Sequence, residues 1–241
     1  MLRGGGQLMA GGAGAAAAYP SIASEHSRWR ADQGVTTSGG SVSQWDDISL
    51  VGDGDNNLVQ GTGANQPSHS ATGGPAGDGS ITFDGSNDDL LVASGMASFA
   101  QPLHFFLLVK QLSYTASDFL LNGTNAADYA IRCNGPTDSV AQDATGGSYS
   151  NHVVMTSGTW FLLDSFFSGA SSYQRLNNGT KESGENPGTG AAQTRMRLCA
   201  EGDGGNEGNF EIAELVFFTA EVTGADLTAL MAYFSDRYGL F

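Results

Sequence analysis

Apolar residues in this chain form short runs, and clusters of Gly, Ser, Asn and Asp separate them at short intervals. Such punctuation is typical of an all-β domain with many tight turns. We predict strands near residues 42–46, 57–60, 80–84, 89–93, 103–110, 118–122, 127–133, 151–156, 159–167, 171–176, 193–200 and 209–218. The run 103–110 is almost continuously apolar, which indicates a central strand that is buried on both faces.

One segment, near the end of the chain, has the period of a helix, and we predict a helix over 223–237. Thr223 followed by Asp226 resembles a capping box, and Gly239 is a normal stop signal. The apolar stripe that should pack this helix on the strands consists of Leu227, Leu230, Met231, Phe234 and Tyr238.

Smaller signals fix turns and core positions. Residues 177–179 (Asn-Asn-Gly) predict a hairpin turn, and Asp84 is suited to cap the turn that follows it. Residues 24–32 predict a short helix or an extended segment that places a tryptophan inward. We assign the three tryptophans, Trp29, Trp45 and Trp160, to the core because each opens or ends a strand-like run.

The first 20 residues differ from the rest. They are rich in Gly and Ala, with no apolar period before Tyr19 and Pro20. We interpret 1–20 as an N-terminal arm and 21–241 as the folded domain. Because Gly loses the most entropy on ordering, such an arm needs a partner to hold it. Its candidate assembly residues are Met1, Gly4, Gly11, Tyr19 and Pro20.

An ordered set of motifs extends over about residues 22–241. It comprises 44–47 (Gln-Trp-Asp-Asp), 83–90 (Phe-Asp-Gly-Ser-Asn-Asp-Asp-Leu), 158–160 (Gly-Thr-Trp) and the strand 211–218 with its helix. The set resembles the concanavalin A-like lectin/glucanase superfamily, in the laminin-G-like form of phage and bacterial surface proteins. The resemblance implies an all-β, concanavalin A-like jelly-roll β-sandwich with one C-terminal α-helix. It implies little about activity, because one fold hosts many functions.

Charge narrows the class of partner. The formal net charge of −15 opposes binding to nucleic acid and to anionic membranes, and suits a cation or a basic partner. With 40% apolar residues the 241-residue chain has enough material for a buried core.

Cysteine use and targeting signals limit the location. Cys133 and Cys199 lie in strand-like runs, and we favour two buried free thiols over a single bridge. We find neither a signal-peptide pattern nor an apolar run approaching the roughly 20 residues of a membrane span. We therefore expect synthesis in a host cytoplasm and export, if any, as part of an assembly or by lysis.

The resemblance raises glycoside hydrolysis as a possible activity. The sandwich hydrolases of the superfamily resemble one another in a strand with the motif Glu-x-Asp-x-x-Glu. The closest string in this chain is 211–214 (Glu-Ile-Ala-Glu), in which Ala213 stands at the position of the Asp. An unbroken strand would point Glu211 and Glu214 to opposite faces. Ile212 and Val216 would then share the face of Glu214 unless a bulge intervenes. We therefore predict a protein that is not an enzyme. The four histidines lie in no triad-like or zinc-like spacing.

Binding functions remain open. Tyr114, Tyr149 and Tyr173 lie in Ser-rich context and are candidates for stacking on a sugar, with edge-covering tyrosines as the alternative. Asp53, Asp55, Asp84 and Asp88 lie in oxygen-rich loops that suit calcium, although Asx residues with Gly also make ordinary turns. No other cofactor is predicted.

We therefore expect a non-enzymatic structural protein of a tailed-phage virion, a capsid decoration or tail component. It would bind other virion proteins through its arm, form a homo-oligomer on the particle, and expose a lectin-like domain toward host glycans. The alternatives are a free carbohydrate-binding module and, third, a glycosidase.

Overall fold

The computed structural model describes residues 17–50, 56–92, 96, 98–123, 129–135, 137–144, 149–190 and 192–241. These residues form 17 strands, one α-helix and two short 3-10 helices, Gly63–Asn65 and Pro75–Gly77. The strands are β1 Glu25–Arg30, β2 Val35–Ser38, β3 Ser41–Trp45, β4 Leu58–Val59, β5 Ser68–Ser70, β6 Ser80–Asp84, β7 Leu90–Val92, β8 Leu103–Gln111, β9 Phe119–Asn122, β10 Ala130–Cys133, β11 Ser139–Asp143, β12 Ser150–Val154, β13 Trp160–Phe167, β14 Tyr173–Leu176, β15 Glu182–Ser183, β16 Met196–Leu198 and β17 Asn209–Phe218. The α-helix, α1, is Gly224–Tyr238.

The strands pair in one continuous antiparallel path that nearly closes on itself. The path runs β12–β11–β10–β9–β16–β7–β4–β3–β5–β6–β17–β8–β13–β14–β15. Strand β2 flanks β3, and β1 flanks the second half of β17. The two ends of the path, β12 and the β14–β15 hairpin, lie beside each other. The fold is therefore mostly β, with a barrel-like sheet that has one open seam.

Each predicted strand has an observed counterpart, and five strands were not predicted. β1 occupies the segment for which a helix or an extended lead-in was expected. β2, β5, β11 and β15 are short or polar, and β15 has only two residues, both exposed. Pairing with neighbouring strands creates these strands, and their own composition carries little signal for them.

Strand β8 divides the core in two, as its apolar sequence predicts. Phe105, Leu107 and Val109 lie in the larger of two hydrophobic clusters. This cluster also includes the fully buried Trp29 and Trp45. Phe106 and Leu108 face the opposite way, into the cluster beneath α1. Trp160 was predicted to lie in the core, but its side chain is only half-buried and packs against the cluster beneath α1. The Lys110 ammonium lies 4.8 Å from the centroid of its ring.

A buried polar cluster seats α1 on the sheet. The Glu214 carboxylate is fully buried and accepts hydrogen bonds from Arg28 Nε at 2.7 Å, the Tyr233 hydroxyl at 2.9 Å and the Tyr238 hydroxyl at 2.6 Å. Arg28 also donates to the Tyr233 hydroxyl at 2.7 Å. The charge of Glu214 is thus matched by one guanidinium and two hydroxyls, as a buried carboxylate requires.

The ends of α1 match the sequence only in part. Thr223 is the N-cap residue, but its side chain makes no capping hydrogen bond, so the capping-box prediction was wrong. Instead, the amide of Val222, just before the helix, donates to His104 Nδ1 at 3.0 Å. Gly239 ends the helix in the left-handed conformation at φ 65°, as predicted.

Strand β17 contains a β-bulge at Ala213. Ile212 pairs with Val109 and Glu214 pairs with the adjacent Leu108, so Ala213 is an extra residue. Before the bulge β17 pairs with β6, and after it with β1. The bulge places both Ala213 and Glu214 on the α1 side of the sheet.

Cys133 and Cys199 are free and buried, which confirms the thiol prediction. Burial raises the pKa of the Cys133 thiol to about 12 and raises that of Cys199 as well. Within the described ranges, α1 is too short and too polar to span a membrane.

Candidate functional site

The open seam of the sheet is filled by a polar network. The side-chain amide of Gln142 on β11 donates to Ser165 Oγ at 2.9 Å on β13, and also to the carbonyl oxygens of Phe166 and Tyr173. The Asn151 side chain on β12 donates to Gln142 Oε1 at 2.9 Å. Side chains therefore bridge the gap that backbone hydrogen bonds leave open, and they hold its two sides at a fixed separation.

The first cleft at this seam has a volume of about 370 Å³ and an apolar floor. Val154 and Leu176 supply the floor, and Val154 is 58% exposed although it is a large aliphatic residue at the end of a strand. The polar groups around it come from His152, Thr180 and Glu182. Apolar C–H surface surrounded by a few hydrogen-bonding groups is typical of a small-molecule site.

The second cleft adjoins the first and is mainly polar. It has a volume of about 230 Å³ and is lined by Asn151, His152, Glu182, Ser183 and Glu185. The side chains of His152 and Glu182 line both clefts and so stand between them. We call the two clefts together the seam groove.

The walls of the seam groove are positioned by contacts with neighbouring segments. The backbone amide of Asn151 donates to Glu185 Oε2 at 2.8 Å, which ties β12 to the chain that follows β15. The His152 ring packs against Gly135, where a Cβ would come within 3.0 Å of the ring and where φ is 89°. These contacts favour a groove whose walls are formed before any ligand arrives.

A third cleft, of about 380 Å³, lies on the other side of β15 and includes Tyr173. Tyr173 is 97% buried, and the Lys181 ammonium lies 3.5 Å from its ring centroid. Burial, together with the charges of Asp164 and Glu221, raises the pKa of Tyr173. The expectation of an exposed ring that stacks on a sugar is therefore corrected for Tyr173, because the core and a lysine cover its faces.

The other two candidate tyrosines are only half-buried. The Tyr114 hydroxyl donates to the Gly135 carbonyl at 3.0 Å, and the Tyr149 hydroxyl accepts from Arg132 Nη2 at 2.7 Å. The Arg132 guanidinium also lies 4.6 Å from the Tyr149 ring centroid. The contacts of Tyr114, Tyr149 and Tyr173 share no partner, so these tyrosines do not form one binding platform, and a sugar-binding role for them stays a prediction.

The acidic candidates for calcium make turn contacts where they are described. Asp84 Oδ1 accepts from the Ser86 amide at 2.8 Å, as predicted for a turn cap, and Asp88 Oδ2 accepts from the Asp84 amide at 3.1 Å. Burial and the nearby Asp84 and Asp89 charges raise the pKa of Asp88. Asp53 and Asp55 lie outside the described residues. Across the described ranges, no three or more His, Cys, Asp or Glu side chains are grouped as metal ligands.

The bulge changes the geometry expected for the glutamate pair of β17. Both Glu211 and Glu214 lie on the α1 side of the sheet, because the bulge interrupts the regular alternation that would place them on opposite faces. Glu211 accepts a 2.5 Å hydrogen bond from Ser80 and forms an ion pair with Lys110. Glu214 is fully buried under α1 with its oxygens engaged. In this arrangement the Glu214 carboxylate does not reach the protein surface.

The described part of the N-terminal segment packs on the domain. Tyr19 meets the Tyr233 ring edge-on at 5.1 Å, and the Arg28 guanidinium lies 3.5 Å from the Tyr19 ring centroid. Met1, Gly4 and Gly11 lie outside the described residues. Pro20 is half-buried beside Tyr19. Tyr19 thus anchors the segment to the α1 side of the sheet.

No protein-family model and no curated protein matches the chain, whereas many solved structures share its fold. Domain 4 of AbnA, a GH43 extracellular arabinanase from Geobacillus stearothermophilus, in complex with arabinotriose, has a TM-score of 0.59 at 13% identity. That match covers 86% of this chain and 98% of that one. Trypanosoma rangeli sialidase in complex with sialic acid has a TM-score of 0.59 at 11% identity, over 92% and 34% of the two chains.

The binding domain of botulinum neurotoxin DC in complex with SialylT has a TM-score of 0.55 at 11% identity, over 89% and 52% of the two chains. The chain thus spans about a third of the sialidase and about half of the toxin domain, but nearly all of the arabinanase domain. At these identities the likeness shows a shared fold.

Proposed function

We propose that this chain is a carbohydrate-binding domain and that the seam groove holds a glycan without negative charge. The observation that carries the proposal is the groove itself, where an exposed aliphatic floor lies beside the carboxylate of Glu182 and the imidazole of His152. The C–H face of a sugar packs on Val154 and Leu176. Its hydroxyls bond to Glu182 and His152, which offer both acceptors and donors.

Charge supports a neutral glycan over an acidic one. Glu182 and Glu185 line the groove without a lysine or arginine among its lining residues, and the whole chain carries −15. A sialic acid carboxylate would meet like charge there, at a cost that specific recognition has to overcome. The arabinanase domain, matched along almost its full length, is in complex with the neutral arabinotriose, which favours the same class of ligand.

We also propose that the fold is a concanavalin A-like sandwich and that the chain binds glycans without hydrolysing them. The strand path has two halves, one from β12 to β3 and one from β5 to β15, and both contribute to one core. This arrangement supports the concanavalin A-like jelly-roll sandwich. The burial of Glu214 supports a binding role over glycoside hydrolysis. Attachment to a virion through residues 1–20 stays a prediction.

The test is a titration calorimetry screen of neutral oligosaccharides, arabinotriose among them, beside sialylated ones. We expect a neutral oligosaccharide to bind the native chain and Glu182→Gln to bind it at least about tenfold more weakly, as expected for a lost charge-assisted hydrogen bond. Asp203→Asn removes the same charge at an exposed loop residue outside all described clefts, and is the matched control.

Either of two outcomes would refute the proposal. The first is no heat of binding with any neutral oligosaccharide at about 10 mM, where even millimolar affinity would register. The second is equal affinity of Glu182→Gln and Asp203→Asn for the bound sugar, which would remove the seam groove as its site.

A further inference from the structure

The two clefts of the seam groove differ in chemistry, although they share a wall. The first has the aliphatic floor of Val154 and Leu176, and the second is lined by Asn151, Ser183 and Glu185 with little apolar surface. Of these two clefts, Ser183 and Glu185 line only the second, so a ring that lies on the aliphatic floor of the first cleft does not contact them. The volumes, about 370 and 230 Å³, lie near or below the lower end of the range for small-molecule sites, so each cleft suits one small unit.

We infer that the groove recognises two consecutive sugar units of a linear glycan and discriminates against a free monosaccharide. This inference rests on the proposed function and names the class of its ligand. One unit lies with its C–H face on Val154, and the next places its hydroxyls beside Ser183 and Glu185. His152 and Glu182 line both clefts, so they flank the linkage and contact both units.

The geometry also assigns different roles to the lining residues. Val154 is 58% exposed and belongs only to the first cleft, so a change there removes apolar contact from one unit. Glu185 belongs only to the second cleft, and Gln at this position keeps an oxygen that can accept from the Asn151 amide. Since the two units are covalently linked, binding the first raises the effective concentration of the second.

The experiment compares mono-, di- and trisaccharides of arabinose, xylose, glucose and galactose by titration calorimetry on the native chain. For the sugar that binds, we expect the disaccharide to bind at least about tenfold more tightly than the monosaccharide, and the trisaccharide to add less than about threefold. Val154→Ser and Glu185→Gln should each reduce the disaccharide affinity by about three- to tenfold. Circular dichroism confirms that both variants are folded.

The outcomes separate the inference from the proposed function. If the disaccharide binds less than about threefold more tightly than the monosaccharide, the two-unit inference is wrong and glycan binding stands. If Val154→Ser and Glu185→Gln both leave the disaccharide affinity unchanged, the inference is also wrong. If no sugar in the series binds, the proposed function has failed, and the inference fails with it.

Discussion

The polar cluster under α1 gives a sharp test of how this fold is held together. In Glu214→Ala the carboxylate that accepts from Arg28 at 2.7 Å, Tyr233 at 2.9 Å and Tyr238 at 2.6 Å is lost. Arg28, only 4% exposed, would keep its charge without its carboxylate partner. Removing one partner of a buried ion pair costs about 3–5 kcal/mol, and each unsatisfied hydroxyl adds about 1–3 kcal/mol where water cannot reach it.

These costs overlap, because a shrunken side chain leaves room for water beside the two hydroxyls. We therefore expect Glu214→Ala to lower the free energy of unfolding by about 4 kcal/mol, a large part of the roughly 5–15 kcal/mol typical of domains. The melting temperature should fall by about 8–16 °C for a domain of this size. Urea unfolding followed by tryptophan fluorescence measures the change, because Trp29 and Trp45 are fully buried.

A double variant makes the interpretation specific. Arg28→Met combined with Glu214→Leu removes both charges and keeps apolar volume, so it should be markedly more stable than Glu214→Ala. Asp203→Asn, an exposed carboxylate, should change stability by less than about 0.5 kcal/mol. If Glu214→Ala costs less than about 1 kcal/mol, the cluster does not hold α1 on the sheet and the reasoning is refuted.

Three further predictions follow from buried groups. Burial and the neighbouring Glu214 charge raise the pKa of Tyr233 to about 12, above the value of an unfolded tyrosine, which is about 10. The contribution of Tyr233 to folding stability should therefore be complete below about pH 10 and decrease as the pH rises toward 12, and a urea midpoint that stays constant from pH 10 to pH 12 would contradict this. Cys133 and Cys199 should react with a disulfide reagent at pH 8 at least about a hundredfold faster in urea than in the native state, and rapid native reaction would show that the thiols are accessible. Gly208→Ala would drive a methyl group into the Phe119 carbonyl oxygen and should destabilise the fold by about 1–3 kcal/mol in the same urea assay, whereas an unchanged midpoint would mean that the loop relaxes freely.

Local signals in the sequence predicted local structure well. The apolar run 103–110 forms the buried strand β8. The helix ends at Tyr238, one residue after its predicted end, and Gly239 is its C-cap as predicted. The 177–179 turn also formed, with Asn177 and Asn178 at φ 49° and 55°, values that Asn tolerates better than most residues. In each case the chemistry that decides the conformation lies within a few residues.

The candidate site was not predictable in the same way. His152, Val154 and Glu182 come from strands at opposite ends of the pairing path, and only the near-closure of the sheet brings them together. An exposed valine at the end of a strand gives no signal of its own in a sequence. The tyrosines attracted attention because their ring chemistry is conspicuous, but Tyr173 is used to fill the core.

The extra residue in β17 has a consequence for the length of this strand. Ile212 faces the core shared by both halves of the sheet, Ala213 and Glu214 both face α1, and Leu215 faces that shared core again. A chain without Ala213 would therefore alternate regularly, and every side chain after it would keep its present face. Single-residue deletions within strands normally invert the side chains that follow, but at this position the pattern would survive. We therefore regard Ala213 as a position at which β17 can lose one residue while the side chains that follow keep the faces on which they now lie.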